Sequence, residues 1–278
     1  MNTVEFTLLI WLGSLLAGFL GALTGLGGGV VIVPLLTIVF GVDIRYAIGA
    51  ALVSVIATSS GSAAAYVKEG YSNIRVGMFL EVATTVGAIA GAALALHLKV
   101  SVIAIVFGVV LLYSAYSSLR EHPPSTKNPG PDRIATWMKM DSSYPTRNGM
   151  EKYYVRGVPA GFSLMFVAGV LSGLLGIGSG AVKVLAMDKA MKLPFKVSTT
   201  TSNFMIGVTA AASAGIYLSR GYIDPGVAMP VMLGVLMGSL AGARVLAGAA
   251  VRPLRMVFGV VVAFLAIEMM YSGFTGKL

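Results

Sequence analysis

Apolar residues follow one another along this chain in blocks long enough to cross a membrane. A helix needs about 20 residues to span roughly 30 Å of hydrocarbon, and six blocks reach that length. Two further blocks are too long for one helix and contain glycine clusters, so each predicts a full helix followed by a short segment. The single blocks are 45–67, 75–97, 100–119, 197–219, 225–247 and 252–272, and the divided ones are 6–24 with 29–41 and 157–175 with 180–191. The pattern predicts about eight full helices plus two short half-helix segments.

The sequence of blocks occurs twice. Residues 17–112 align with residues 168–263 at a constant offset of 151, without a gap. The glycines at 25, 27 and 29 meet those at 176, 178 and 180, and Phe107-Gly108-Val109-Val110 meets Phe258-Gly259-Val260-Val261. An apolar chain built from two copies is typical of a transporter whose substrate binds between the halves.

A polar segment separates the two copies. Residues 120–155 are rich in proline, glycine and charged residues, which predicts an extramembrane linker. The chain therefore divides into a first transmembrane repeat over 1–119, the linker over 120–155, and a second transmembrane repeat over 156–278. Near the end of the linker, alternating residues on both sides of Asn148-Gly149 predict a small β-hairpin.

Composition excludes a water-soluble globule. With 56% hydrophobic residues, 11% charged residues and a mean hydropathy of +0.86, the chain carries more apolar surface than a soluble core can bury. Its outer surface must face the lipid bilayer, so we predict an all-α, polytopic protein of the cytoplasmic membrane. The sequence has no cysteine, which excludes disulfides, thiolate metal sites and cysteine nucleophiles. His97 and His122 stand in no catalytic or metal-binding constellation, so we predict no enzymatic activity, no metal and no cofactor.

The net charge of +9 comes from Lys and Arg residues in loops beside the apolar blocks, a pattern that sets membrane orientation rather than nucleic-acid binding. If each divided block crosses the membrane once, the halves are parallel, and a cytoplasmic linker leaves eleven basic residues inside and eight outside. If each divided block crosses and returns, the halves are inverted, with fifteen inside and four outside. The positive-inside rule favours two inverted-topology repeats, a cytoplasmic linker and both termini outside.

Two glycine clusters are the sharpest local feature of the sequence. Glycine between helical segments exposes backbone N–H groups, which bind anions. Unwound backbone at membrane depth occurs only where protein covers it or where it lines a cavity. Tight helix packing or a simple turn is the alternative explanation. Because the clusters occupy equivalent positions in both halves, we predict that they form the substrate site. The residues assigned to it are Gly27, Gly28 and Gly29 from Gly25-Leu26-Gly27-Gly28-Gly29, and Gly178, Ser179 and Gly180 from Gly176-Ile177-Gly178-Ser179-Gly180.

Lys183 follows the second glycine cluster within an apolar segment. A cation at membrane depth is costly, and it usually faces a cavity, a partner or a substrate. Beside exposed amides it would form an anion site. The alternatives are a side chain that reaches the interface or a pair with Asp188 nearby in sequence.

A hydroxyl-rich run, Ser198-Thr199-Thr200-Thr201-Ser202-Asn203, opens a later apolar block. Hydroxyls and an amide are neutral donors for an oxyanion, so Thr200, Thr201, Ser202 and Asn203 are candidate ligands, with Asn203 favoured. In the first half the hydroxyls come a turn or two later, which adds Thr58 and Ser59. Helix capping and interhelical hydrogen bonds are the alternative, and they account well for Ser198 and Thr199.

Two carboxyl groups also lie within apolar blocks. Glu81 is a candidate for proton coupling, because a membrane carboxyl can take up and release a proton. A structural pair with a basic side chain, or a place near the interface, is the alternative. Glu268 is the weaker candidate of the two.

Several of these motifs resemble the TauE/SafE sulfite exporter family. The similar runs are Gly21 to Pro34, Gly173 to Lys183, Lys196 to Phe204 and Arg220-Gly221-Tyr222-Ile223-Asp224-Pro225. The resemblance covers nearly the whole chain except the linker. It implies membrane export of sulfur-containing anions such as sulfite, sulfoacetate or related organosulfonates. This chain has Ser179 where the family often has a third glycine and Leu185 where it often has a proline, and the serine hydroxyl is expected to alter anion preference.

Three functional hypotheses follow from the sequence. The first is a secondary carrier that exports a small oxyanion by alternating access between the repeats. The second is an anion channel, or an importer of a related anion, that uses the same donors. The third, a membrane enzyme or assembly factor, has little support, since no nucleophile–base pair lies near the glycines. Gly87-xxx-Gly91 and Gly238-xxx-Gly242 suit close helix contacts, either within the chain or between two chains of a homodimer.

Overall fold

The computed structural model describes residues 3–24, 29–68, 70–119, 130, 132–146, 149–246 and 251–276. Eight helices of 18 to 25 residues make up most of this part of the chain. In the first half they are α1 Thr3–Thr24, α3 Ile44–Lys68, α4 Ile74–His97 and α5 Val100–Leu119, with the short α2 Gly29–Pro34 running into a π-helical turn, Leu35–Val39. In the second half they are α7 Val158–Leu175, α9 Phe195–Ser219, α10 Pro225–Leu246 and α11 Val251–Thr275, with the short α8 Gly180–Leu185 running into a π-helical turn, Ala186–Ala190. Between them lie α6 Arg133–Trp137, β1 Ser142–Thr146 and β2 Gly149–Tyr153.

These helices begin and end within three residues of the apolar blocks in the sequence. Three helical stretches, Ile74–His97, Val158–Leu175 and Pro225–Gly242, are long and apolar enough to cross a membrane by length and composition. Five shorter apolar stretches, of 10 to 17 residues, lie in other helices of the described part. The protein is therefore an α-helical membrane protein, as the composition predicted.

The offset of 151 that relates the two halves in sequence also relates their secondary structure. Adding 151 to the bounds of α2, its π-helical turn and α3 gives the bounds of α8, its π-helical turn and α9. The unusual backbone angles repeat as well: Gly41 and Lys192 have φ of 64° and 60°, and Gly70 and Gly221 have φ of 75° and 74°. The duplication thus extends from sequence to local structure.

The main helix packing joins one half to the other. Helix α1 packs on α10, α4 on α7, α3 on α9 and α5 on α11. At the offset of 151, the equivalent helices are α1 and α7, α3 and α9, α4 and α10, and α5 and α11. Exchanging equivalents turns the pair α1–α10 into the pair α7–α4, and it leaves the pairs α3–α9 and α5–α11 unchanged. The four pairs therefore follow the pattern that a two-fold axis relating the halves would give, and each half buries its helices against the other.

Glycines bring the paired backbones into direct contact. A Cβ added to Gly87 of α4 would overlap the carbonyl oxygen of Phe166 in α7, and the equivalent Gly238 of α10 would overlap the carbonyl of Leu15 in α1. Small residues permit this approach, and dispersion contacts between backbones then hold the helices together. The sequence left open whether Gly87 and Gly238 make helix contacts within the chain or between two chains. In the structure both glycines make contacts within the chain.

The linker folds onto the ends of the helices. Strands β1 and β2 pair antiparallel with Thr146 opposite Gly149, which confirms the predicted hairpin, while the short helix α6 was not predicted. Asn73, in the loop between α3 and α4, donates from Nδ2 to the carbonyl of Met140 and to the hydroxyl of Tyr153, at 2.9 and 2.8 Å. Buried linker residues join an apolar cluster with the starts of α4, α7 and α9. The linker is thereby fixed to both halves at one end of the helices.

Candidate functional site

Lys183 is enclosed completely in the protein. Its exposed fraction is 0%, and its Nζ donates a hydrogen bond of 2.6 Å to Oγ1 of Thr209 on α9. The side chain therefore does not reach the interface. Asp188, the other partner considered from sequence, instead forms an ion pair with its neighbour Lys189, with 3.2 Å between Oδ2 and Nζ. A buried ammonium group that is bonded to a hydroxyl carries a charge that its immediate neighbour does not balance.

Thr209 connects Lys183 to a carboxyl group. Its Oγ1 lies 2.7 Å from Oε1 of Glu81 on α4, and the hydroxyl of Thr85 donates to the same carboxyl oxygen at 3.3 Å. The other oxygen, Oε2 of Glu81, is buried and has no hydrogen-bond partner among the described residues. The result is a chain of polar groups, Lys183 to Thr209 to Glu81, which we call the Lys–Thr–Glu relay.

The duplication does not repeat the relay. Its members come from α8, α9 and α4, so both halves contribute to it. At the offset of 151, Thr209 corresponds to Thr58, but the charged members correspond to Ile32 and Met232. Thr209 was not among the residues selected from sequence, although its equivalent Thr58 was. The repeat alignment contained the signal that would have found it.

The two glycine clusters meet in the structure. Of the first cluster, Gly27 and Gly28 lie outside the described residues. A Cβ added to Gly29 would lie 3.2 Å from the carbonyl oxygen of Gly176 in the second cluster. The segment that starts α2 therefore touches the segment that leads to α8, at the boundary between the halves.

The second cluster forms a tight turn covered by apolar side chains. Gly178 and Ser179 both have left-handed backbone, with φ of 69° and 48°, which is favourable for glycine and strained for serine. Val55 of α3 and Ile206 of α9, which are equivalent at the offset of 151, both pack against Gly178. The Ser179 hydroxyl oxygen is buried and has no hydrogen-bond partner in the described part of the chain. This oxygen is an unused donor and acceptor beside the turn.

The hydroxyls at the start of α9 bind neighbouring backbone. Thr200 Oγ1 donates to the carbonyl of Tyr71 at 3.0 Å, and Thr201 Oγ1 accepts from the backbone N–H of Asn73, also at 3.0 Å. These bonds tie α9 to the loop before α4. Ser202 donates to the carbonyl of Gly180 at 3.3 Å, which links α9 to the start of α8.

The remaining candidates are more dispersed. Asn203 is half-buried on α9. Thr58 donates to the carbonyl of Ser54 within α3, and Ser59 faces Gly207 of α9. Glu268 lies on α11, which packs against α5, α1 and α2 rather than beside the relay. The structure thus gathers Lys183, Glu81 and the second glycine cluster around α9.

The chain is similar in sequence to a known protein family along most of its length. The family described as sulfite exporter TauE/SafE matches residues 10–269. The chain belongs to this family. Similarity to the TauE/SafE family therefore extends over both halves and the linker, and it agrees with the resemblance seen in the sequence motifs.

Three relatives are similar to most of the chain. The probable membrane transporter protein YunE of Bacillus subtilis is 27% identical over 97% of this chain and 99% of its own length. The probable membrane transporter protein YdhB of the same organism is 26% identical over 85% and 87%. The probable membrane transporter protein MJ0441 of Methanocaldococcus jannaschii is 24% identical over 87% and 89%. No solved structure matches the chain.

Proposed function

We propose that this TauE/SafE family protein is a secondary carrier that exports a small sulfur-containing oxyanion, such as sulfite, sulfoacetate or another organosulfonate. The observation that carries the proposal is the complete burial of Lys183 with a hydroxyl, rather than a carboxylate, as its hydrogen-bond partner. A cation in a membrane segment is retained for a partner or a substrate. An oxyanion beside Lys183 would place an opposite charge in direct contact with the ammonium group.

The surrounding groups suit an oxyanion once it is bound. The buried Ser179 hydroxyl has no partner among the described residues and is available to donate. The turn at Gly178 and Gly180 leaves backbone close to the site without side chains of its own. Asn203 is assigned to the same site because it follows Ser202 on α9, and the first glycine cluster because Gly29 lies against Gly176 of the second. A sulfonate or sulfite group has three oxygens, so it can accept from several donors at once.

The orientation we propose is that of inverted repeats with the linker cytoplasmic and both termini outside. The excess of Lys and Arg on the linker side supports the cytoplasmic placement, and two contacts support the inversion of the repeats. Lys196 places its Nζ 3.7 Å from the centre of the Tyr71 ring, beside the loop to which the linker is bonded. At the equivalent position, Arg45 lies over the ring of Tyr222, 5.8 Å away. Parallel repeats would put Lys196 and Tyr71 at opposite ends of the molecule, whereas inverted repeats bring them together.

The motion we propose for alternating access does not separate the two sequence halves. Rocking of one half against the other would break the backbone contacts of Gly87 and Gly238 at once. Units that each contain one helix from each half, α1 with α10 and α4 with α7, keep these contacts while they move. Because Lys183 and Glu81 lie on α8 and α4, movement of the α4–α7 unit would change the surroundings of the site.

Radiolabelled sulfite uptake into proteoliposomes tests the proposal. Wild-type protein is compared with Lys183→Ala and with Lys189→Ala, which removes a nearby exposed lysine of the same segment. Saturable uptake with counterflow, at least tenfold slower in Lys183→Ala and preserved in Lys189→Ala, is expected. Uptake that fails to saturate would identify a channel instead. If neither sulfite nor sulfoacetate moves through the wild-type protein, the proposal is wrong.

A further inference from the structure

The single hydroxyl proton of Thr209 has more than one acceptor within reach. Oγ1 lies 2.7 Å from Oε1 of Glu81 and 3.0 Å from the backbone carbonyl of Met205, one turn earlier in α9, and the hydroxyl of Thr84 is a more distant acceptor at 3.4 Å. The same oxygen accepts from Lys183 at 2.6 Å. A hydroxyl has one donor hydrogen and two acceptor lone pairs, so Thr209 donates a hydrogen bond to one of these acceptors at a time. The choice depends on whether Glu81 carries a proton.

Two proton arrangements satisfy the observed distances. When Glu81 is ionised, Lys183 donates to Thr209, and Thr209 donates onward to the carboxylate. When Glu81 is protonated, its O–H donates to Thr209, whose own proton turns to the carbonyl of Met205. Thr209 accepts from Lys183 in both arrangements. The heavy atoms need not move, so a proton on Glu81 changes the charge of the site without dismantling it.

The other ionisable groups in the described helices around the relay lie at a distance or pair elsewhere. On α4 itself, Arg75 and His97 are 6 and 16 residues from Glu81, about 9 and 24 Å along the helix. Helix α7, packed on α4, has no ionisable residue, and Lys183 is the only one on α8. Helix α9 brings Lys196 and Tyr217, which are 13 and 8 residues from Thr209, about 20 and 12 Å along the helix. Asp188 and Lys189, in the π-helical turn after α8, pair with each other. With Glu81 ionised the relay is neutral overall, and with Glu81 protonated it carries one positive charge.

We infer that Thr209 couples proton uptake by Glu81 to anion binding at Lys183, so that each anion moves together with one proton. This inference rests on the proposed function. A proton from water binds the Glu81 carboxylate on the side where the anion enters, which frees the Lys183 charge for that anion. On the other side the anion leaves, the proton returns to water, and the ionised carboxylate is again bonded through Thr209. Thr209 is thus a positioning residue that links the Glu81 carboxyl group and the Lys183 ammonium group by hydrogen bonds.

Sulfoacetate is the probe for this coupling, because sulfite itself exchanges protons near neutral pH. Uptake into proteoliposomes is driven by an imposed pH gradient, with the membrane potential clamped at zero by valinomycin and equal potassium. For one proton per anion, each pH unit of gradient gives about tenfold accumulation at equilibrium, since it is a tenfold ratio of proton concentrations. Exchange of labelled for unlabelled sulfoacetate without a gradient is measured in the same preparations.

Four variants separate the roles in the relay. Thr209→Val keeps the shape but removes the hydroxyl, and Glu81→Gln keeps a neutral side chain that cannot titrate. Both are expected to lose accumulation driven by the gradient while they still exchange sulfoacetate at a measurable rate. Thr209→Ser should restore it. Ser213→Ala, which removes a buried hydroxyl that donates to the Thr209 carbonyl from one turn away, should respond to the gradient like the wild type.

The outcomes distinguish this inference from the proposed function. No exchange of sulfoacetate or sulfite by the wild type overturns both. Exchange without any response to the gradient in the wild type overturns the coupling and leaves the carrier. A full response in Thr209→Val or in Glu81→Gln overturns the role of that residue. If Thr209→Val does not fold, as judged by gel filtration, Glu81→Gln is compared with Thr209→Ser. Loss of gradient-driven accumulation in Glu81→Gln and its retention in Thr209→Ser would support the coupling, and its retention in Glu81→Gln would overturn it.

Discussion

The hydroxyl of Tyr217 on α9 donates a hydrogen bond of 3.1 Å to the backbone carbonyl oxygen of Gly173 on α7. Gly173 stands in the last turn of α7, where carbonyl groups have no partner within the helix. Tyr217 is fully buried. An unpaired carbonyl at membrane depth is costly. Tyr217 supplies the hydrogen-bond donor that this buried end of α7 would otherwise lack.

Replacing Tyr217 by Phe should lower the free energy of unfolding by about 1–3 kcal/mol, because the Gly173 carbonyl is left buried without a donor. Thermal unfolding in detergent measures the change. Tyr116→Phe, at an exposed position on α5, is the matched control and should be neutral. Equal stability of the two variants would show that the bond contributes nothing.

The glycine contacts predict a sharp difference between two substitutions of the same kind. A Cβ on Gly173 would overlap the carbonyl oxygen of Ala88, whereas one on Gly215 would meet nothing within 4 Å. We therefore expect Gly173→Ala to destabilise by about 1–3 kcal/mol through overpacking. Gly215→Ala should be neutral or stabilising by up to about 1 kcal/mol, since alanine favours helix. Similar unfolding temperatures for both would contradict the backbone packing.

The absence of cysteine from the sequence makes the proposed orientation directly measurable. Trp137→Cys in the linker and Arg220→Cys after α9 both replace exposed residues. In intact cells a membrane-impermeant maleimide should label Arg220→Cys and leave Trp137→Cys unlabelled until the membrane is permeabilised. Labelling of both from outside, or of Trp137→Cys alone, would rule out inverted repeats with a cytoplasmic linker.

Asn73 should hold the linker against the helices. Asn73→Asp keeps the oxygen that caps α4 at the N–H of Val76 but removes the amide donor to Met140 and Tyr153. Trypsin cleavage in the linker is expected to become several-fold faster, because the docked state loses two hydrogen bonds. Thr136→Ala, which loses one exposed bond within the linker, serves as the control. Unchanged cleavage in Asn73→Asp would mean that the apolar cluster alone fixes the linker.

The same docking predicts an alkaline transition. Burial raises the pKa of the Tyr153 phenol above its ordinary value of about 10. The folded state therefore holds this proton more tightly than the unfolded one. The stability that it contributes is present below pH about 10 and is lost as the pH rises through the folded-state pKa. The fluorescence of Trp137, in a Trp11→Phe background, should change in that range and not in Tyr153→Phe.

The sequence predicted the helices well because each depends on a local property, the length of an apolar run. It also identified Lys183 and Glu81, since charge within such a run is conspicuous. The Lys–Thr–Glu relay could not be predicted from the sequence, because Glu81 and Thr209 are 128 residues apart and meet only through the packing of α4 on α9. For Thr200 and Thr201, the sequence could not reveal that the loop before α4 would take up their hydroxyls.

The interlocked helix pairs also bear on how the protein is made. The glycine face of α1 contacts α10, and Gly18 precedes its partner Val235 by 217 residues. At the usual rate of translation, that is a delay of roughly 10–45 s. During this interval α1 lacks the helix it packs on, and α3, α4 and α5 each lack their partners until the matching helix of the second half is synthesised. The first half is thus a set of inserted but unassembled helices, and the tertiary structure forms only as the second half emerges.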